Sequence, residues 1–349
     1  MLRQCSLRHH RYNRPVPPDC LLLGRLQRET IITADNKVRI DQSGGSLLYA
    51  AAACRLWGAN PGLIARVGSD YPKEWIEELA ARGLDVRGLR VLDEPQDLRR
   101  FIAYKEIDQP RSDNPVRYFA NLGLPFPKSL LDYEPRKPNL DSKRERSRLT
   151  LRQEDIPEAY RGAGGAHLCP LDFFSHSLMP TALREFGINL IVLEAGENYM
   201  HPTFWDEIPE LVNGLALFVV RDDQLRALFA ERSEDLWEMA EMLTSFNCGA
   251  VLIRTAARGL WLYDSASQLK IHLPPFPARR YDITENGSSL CGGLLAGLIQ
   301  SQDFPYAVLV GTAIASLAIE GSGPFYIEET LPRLVESRIQ SLKAAMKIA

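Results

Sequence analysis

The apolar positions of this chain change period several times, and each change marks an element. Residues 19–26 (DCLLLGRL) form an apolar run closed by Gly24 and predict a short buried strand. TIITADNKVRID (30–41) predicts two short strands around a turn at Asp35–Asn36. SGGSLLYAAAACRLWG (43–58) shifts to small apolar residues and predicts a helix entered through Gly44–Gly45 and ended at Gly58. PGLIARVG (61–68) predicts a strand. YPKEWIEELAARG (71–83) predicts an amphipathic helix, with Trp75, Ile76 and Leu79 on one face and Gly83 at its end. Residues 99–122 predict a hairpin whose aromatic and β-branched arms flank a Pro/Asp/Asn turn.

Beyond residue 165, strand-like GAHLCP, NLIVLEA, ALFVV, GAVLIRT and GLWLYD alternate with helix-like SLMPTALREFG, DDQLRALFAER and SEDLWEMAEMLTSFN. Ser233 is the N-cap expected for the last of these. The alternation predicts an α/β fold in three layers, a mostly parallel sheet covered by helices on both faces. Ligands of such folds sit beyond the carboxyl ends of the strands. Residues 126–152 break the rhythm, being proline-spaced and then strongly basic. We read an exposed insertion at about 126–148, with a surface for an acidic partner at 136–152 as the alternative. The expected organisation is a disordered basic tail at 1–18, one α/β domain at 19–335 and a C-terminal helix at 336–349.

Composition narrows the classes. The chain has 349 residues, is 45% hydrophobic and 24% charged, and has a net charge of −3. A nucleic-acid protein carries a basic excess, which is missing here. No apolar run reaches the roughly 18–20 residues of a membrane span. The basic start lacks the apolar segment of a secretory signal. Six scattered cysteines form no Cys-x-x-Cys pair, so we expect reduced thiols, no metal and a cytoplasmic location. His167 is expected to be a packed core histidine.

Two stretches carry candidate chemistry. Gly44–Gly45 at a helix start offers close backbone approach and free N–H groups, or a tight turn only. YDITENGSSLCGGLLAGL (281–298) runs a polar turn through Gly287 into a helix of small residues. The unpaired amides and partial positive charge of a helix N-terminus attract phosphate. The plain alternative is a buried helix with a glycine face.

The two stretches together resemble the ribokinase-like (PfkB) carbohydrate kinase family. Its first signature appears as Gly44–Gly45, Trp57–Gly58 and Val67–Gly68–Ser69–Asp70, followed by LAARGLDVRGL. The second appears as Asp282-Ile283-Thr284-Glu285-Asn286-Gly287-Ser288 and then Gly292–Gly293. VLIRTAARGLWLYD (251–264) is similar to the family's nucleotide loop, and AVLVGTAIASLAIEGSG (307–323) to the helix beside adenine. The resemblance implies a small β-sheet lid from about 30–42 and 99–122, a homodimer paired through that lid, and transfer of the γ-phosphate of ATP, with Mg2+, to a sugar or nucleoside hydroxyl. Its implied nucleotide-side positions are Arg221, Gln224, Arg254, Gly259, Gly311 and Ser316. Its implied substrate-side positions are Glu29, Gly44, Gly45 and Tyr49, with Asp282 as a cation position.

Against that pattern the reactive positions are altered. The family's base is an aspartate where this chain has Ser288, and its small anion-hole residues align with Glu285-Asn286-Gly287. Its Asn-x-x-Glu aligns with Arg221 to Gln224. Its nucleotide-loop threonine aligns with Arg254. A serine hydroxyl does not accept a proton at neutral pH, and Glu285 would repel phosphate. The expectation is a homologue that binds a sugar, nucleoside or nucleotide with lost or weak phosphoryl transfer, with or without ATP and Mg2+. The alternatives are an active sugar kinase using Glu285 or Asp222 as surrogate base, and a non-catalytic scaffold. Arg221 and Arg254 are expected to bind an anion or to plug the site by pairing with Glu285 or Asp222.

Overall fold

The computed structural model describes residues 17–135 and 139–348. Most of the predicted basic tail, and residues 136–138 of the insertion, lie outside them. Fourteen strands are formed among the described residues. β1 is Cys20–Leu23, β2 Gln27–Ile32, β3 Val38–Gly44, β4 Pro61–Val67, β5 Asp85–Val91, β6 Arg99–Tyr104 and β7 Pro110–Arg111. β8 is Ala166–Leu168, β9 Ile191–Glu194, β10 Leu217–Arg221, β11 Ala250–Thr255, β12 Gly259–Asp264, β13 Leu269–Leu273 and β14 Lys347–Ile348.

The main sheet runs β14-β13-β12-β11-β10-β9-β8-β1-β4-β5. It is parallel from β5 to β11 and antiparallel through β12, β13 and β14. Its central strands β1, β4, β8 and β9 are buried along their whole length because both faces are covered. On β1, Cys20 and Leu22 enter one core and Leu21 and Leu23 the other. The first core is shared with helices α1 (Ser46–Leu56) and α2 (Lys73–Ala81). The second is shared with α4 (Phe173–Glu185), α5 (Ile208–Val212), α6 (Asp222–Leu228) and α7 (Leu236–Ser245), α3 (Pro115–Asn121) lying on the lid instead. Three further helices, α8 (Asn286–Ser301), α9 (Phe304–Ala318) and α10 (Pro332–Ala345), complete the first core. Burying each such leucine contributes roughly 1.5–3 kcal/mol, so Leu22→Asp would break both the strand and its packing.

The small residues of α8 set the spacing of this layer. A Cβ at Gly292 would stand 2.8 Å from the Cα of Ala50 in α1, and one at Gly311 in α9 would stand 3.0 Å from the Cβ of Leu294. The helices therefore pack backbone to backbone, which places the first turn of α8 at the carboxyl ends of β9 and β11.

A second sheet, ordered β3-β2-β6-β7, forms the small sheet expected over the site. β2 and β6 are parallel, with Glu29 opposite Arg100. The predicted second arm of the 99–122 hairpin is a correction. Only Pro110–Arg111 pair with β6, and residues 115–121 are the helix α3. Pro115 favours the first helical position, and the Asn114 side chain accepts from Arg117 N at 3.3 Å, which ends the strand and starts the helix. Phe101, Ala103 and Phe119 are consumed in a core of this lid.

Three further differences concern boundaries. The cap of α7 is Asp235, which accepts from Trp237 N and Glu238 N, while Ser233 Oγ accepts from Asp235 N and donates to Glu238. The C-terminal helix starts at Pro332, before the expected 336, and gives way to β14 on the edge of β13. β5 and β13 carry no apolar run of the kind that revealed the other strands; their burial is intermittent. Within the insertion Leu130 is buried, while residues 142–148 are exposed.

Candidate functional site

The turn before α8 is held rigidly. Asp282 is buried; its Oδ1 accepts from Thr284 N at 2.9 Å and its Oδ2 from Ser322 Oγ at 2.5 Å. Asp282 thus caps the corner, and both of its oxygens are used. Glu285 follows with φ 52°, the left-handed conformation, so the chain reverses into α8 and points the amides of its first turn at the sheet end.

Gly287 leaves room for two charged side-chain ends. A Cβ would collide with the Arg254 guanidinium and with Oε1 of Glu194. Arg254 Nη1 donates to Glu194 Oε1 at 2.6 Å. The pair fills the space in front of Gly287 that an anion would need. Glu194 was not among the residues singled out from the sequence. Its signal was a charged residue closing the otherwise apolar strand IVLE at the ligand-facing end of an α/β sheet. Burial pushes the Glu194 carboxyl up, Arg254 opposes that, and Glu285 adds to it.

Ser288 is 1% exposed. Its Oγ lies 3.2 Å from Oε2 of Glu285 and 3.3 Å from Oε2 of Glu194, so its one proton is shared between two carboxylates. Among the described residues, Asn286 Oδ1 is buried without a hydrogen-bond partner.

The lid closes over this corner. Arg100 pairs with Glu285 and also donates to Gln27 Oε1 at 3.2 Å. Tyr104 and Thr284 hydroxyls meet at 2.8 Å, and Ile283 packs on Ile31, Ile102 and Tyr104. Burial works against the Arg100 charge, but the Glu285 and Glu29 carboxylates outweigh it and raise its pKa. Glu285 is thus held by a lid arginine, a partner that sequence reading missed because the two residues are 185 positions apart.

Glu29, Gly44, Gly45 and Tyr49, the positions expected on the substrate side, lie together. Glu29 Oε1 accepts from Gly45 N at 2.9 Å, and Oε2 accepts from Tyr49 at 3.2 Å. Gly44 admits the Glu29 carboxylate, which a Cβ there would strike. Glu29 is 1% exposed, and burial raises its pKa to about 7, with Arg100 pulling it down and Glu285 pushing it up.

On the nucleotide side the expected set divides. Arg221 pairs with Asp223 and Glu197 at the surface, at 2.9 and 2.8 Å. Gln224 caps α6 by accepting from Arg221 N, and its amide reaches Gly196 O at 3.3 Å. Asp222 faces Arg258 at 3.6 Å. Neither arginine follows the expected plugging pairs, since Arg254 takes Glu194 and Arg221 takes Glu197 and Asp223. Gly259 turns the β11–β12 hairpin at φ 83°. Gly311 serves the α8–α9 contact, and Ser316 Oγ accepts from Arg338 at 2.9 Å. Neither of these last two is bonded to the Glu194–Arg254 group.

Residues 179–331 match the profile of the pfkB family carbohydrate kinases. A cytidine kinase of Thermococcus kodakarensis is 22% identical over 316 residues, covering 88% of this chain and 99% of that protein. An inositol 3-kinase of Arabidopsis thaliana is 27% identical over 122 residues, 35% of this chain and 33% of that one. Among solved structures, a Burkholderia thailandensis nucleoside kinase in complex with inosine superposes with a TM-score of 0.65 at 15% identity, covering 93% of this chain and 99% of the other. An Arabidopsis thaliana ribokinase complexed with ribose and ATP gives 0.65 at 14% identity with the same coverage.

Proposed function

We propose that this chain, ribokinase-like in fold and matching the pfkB carbohydrate kinases over residues 179–331, binds a sugar, nucleoside or nucleotide and transfers phosphate weakly or not at all. The observation that carries this reading is the Arg254–Glu194 pair in front of Gly287; the resemblance, which gives Ser288 the position of the family's base, supports it. The pieces for polyol recognition are retained: a buried carboxylate at Glu29, the Tyr49 hydroxyl and the Gly45 amide converge.

The residues present do not fit a magnesium triphosphate as arranged. The oxygen donors that Mg2+ prefers are replaced on the nucleotide side by Arg221 and a fully bonded Gln224. Glu194 places a carboxylate where phosphate oxygens would sit. A carboxylate at the base position would assist by about 10²–10⁴-fold, and Ser288 supplies none of that by itself. We place the protein in the cytoplasm, in keeping with its free buried thiols Cys20, Cys54, Cys169, Cys248 and Cys291.

ADP release coupled to an indicator enzyme, over a panel of sugars and nucleosides with Mg2+, tests the reading. Ligand-dependent stabilisation without turnover is expected. Saturable, magnesium-dependent turnover above background overturns it and establishes the second reading, an active sugar or nucleoside kinase. That reading is favoured by Glu285 Oε2 standing 3.2 Å from Ser288 Oγ, where a carboxylate would take the acceptor's proton. Glu285→Gln would then abolish the turnover.

A further inference from the structure

His167 stands in the middle of β8 and faces the same core as Val192, its register partner on β9. Its neighbours Ala166 and Leu168 face the opposite core. Two residues beyond Val192 on that same face comes Glu194. Cys291, one turn into α8, projects onto this face from above. An imidazole nitrogen of His167, the Sγ of Cys291 and a carboxylate oxygen of Glu194 all lie within 4.8 Å of one another.

The imidazole is set up as a ligand. His167 Nδ1 lies 3.3 Å from the Val192 carbonyl, which fixes the proton on Nδ1 and leaves a lone pair on Nε2. Among the described residues that Nε2 has no hydrogen-bond partner, although His167 is fully buried. A backbone carbonyl on one nitrogen and an unshared lone pair on the other is the arrangement of a metal-bound histidine. Burial holds the imidazole neutral, its pKa lowered to about 3. An orphaned buried acceptor is costly and calls for a partner.

We propose that His167, Cys291 and Glu194 form a buried site for one divalent transition-metal ion, with Zn2+ the best match to one sulfur, one nitrogen and one oxygen donor. Three protein ligands leave a fourth position, and the Ser288 hydroxyl, 3.3 Å from the same Glu194 carboxylate, borders it. Binding replaces the thiol proton of Cys291 by the ion, and that proton leaves to solvent. The exchange adds one positive charge beneath Gly287 and draws on the carboxylate that now holds Arg254, loosening the pair in front of the cradle.

The test uses the purified full-length chain, stripped with chelator and titrated with Co2+ and Zn2+. The expected result is one equivalent bound per chain, with a sulfur-to-cobalt charge-transfer band that zinc displaces. His167→Asn and Cys291→Ser should each remove the band, with folding checked by circular dichroism. A band that survives Cys291→Ser places the ion at another thiol, for instance Cys5, and overturns the proposal. Should both variants unfold, X-ray absorption on the zinc-loaded natural chain decides. One sulfur and one imidazole in the shell support the site; a shell without sulfur overturns it. A chain that takes up neither ion also overturns it, leaving a thiol–imidazole contact in the core.

Discussion

Arg254 on β11 reaches across β10 to Glu194 on β9, Nη1 to Oε1 at 2.6 Å, and the bridge lies against the Cα of Gly287. The side chains are 20% and 7% exposed, so each charge depends on the other. Breaking one side of a buried pair costs roughly 3–5 kcal/mol, whereas removing both costs far less. Arg254→Ala should lower the melting temperature markedly, and the Arg254→Ala, Glu194→Ala double variant should recover part of the loss. Additive losses in the double-mutant cycle would mean that the two side chains are not coupled.

Ser288→Asp, which under the proposed function would supply the base, adds a third carboxylate beside Glu194 and Glu285. Like charges at that spacing disfavour ionisation. The expected outcome is a less stable protein with no gain in ADP release. Adding Glu194→Gln and Arg254→Ala should be needed before any turnover emerges. Full activity from Ser288→Asp alone would show that the pair moves aside without assistance.

Glu29 titrates near pH 7 in the folded protein, above its ordinary 4.5, because burial penalises its charge; Arg100 and Arg39 oppose this and Glu285 adds to it. The folded state therefore binds more protons than the unfolded state between those values. Stability contributed by the protonated carboxyl is present at pH 4.5 and declines as pH rises towards 7. The decline is up to about 3 kcal/mol from the shift of the one group. Glu29→Gln should flatten the profile of denaturant-unfolding stability over that range. An unchanged slope would assign the pH dependence to another group.

The lid is anchored at Arg100–Glu285 and at Tyr104–Thr284. Arg100→Leu leaves Glu285 without its counter-charge while the apolar Ile31–Ile102–Ile283 contact persists. Faster amide hydrogen exchange in residues 27–44 and 99–111 is expected, with the main sheet unaffected. Equal protection in both proteins would mean that apolar packing alone holds the lid.

Gly287→Ala should reduce stability by about 1–3 kcal/mol, the usual range for an overpacked site. Arg254→Ala should relieve part of that cost, since the guanidinium is one of the two groups the new methyl strikes. Calorimetric melts of the single and double variants measure it.

Much of the architecture was legible because it is written in short-range pattern. Apolar runs flanked by glycine marked β1, β4, β9, β10 and β11, since a strand buried on both faces has no polar face to show. The paired glycines at 44–45 and the ENGS turn at 285–288 marked the corner, because close backbone approach admits few residue types. The 113–122 segment was misread because VRYFANL suits a strand as well as a helix by composition. Asn114 and Pro115 decided it through capping geometry.

The sequence alone determined the layered α/β fold and the glycine corner, because each is carried by neighbouring residues. Only the tertiary structure decided who pairs with whom. Glu194 meets Arg254 across 60 positions, Arg100 meets Glu285 across 185, and His167 meets Cys291 through the packing of α8 on the sheet. Charges find partners by distance in space, and chain separation carries no record of that distance until the strands are in register.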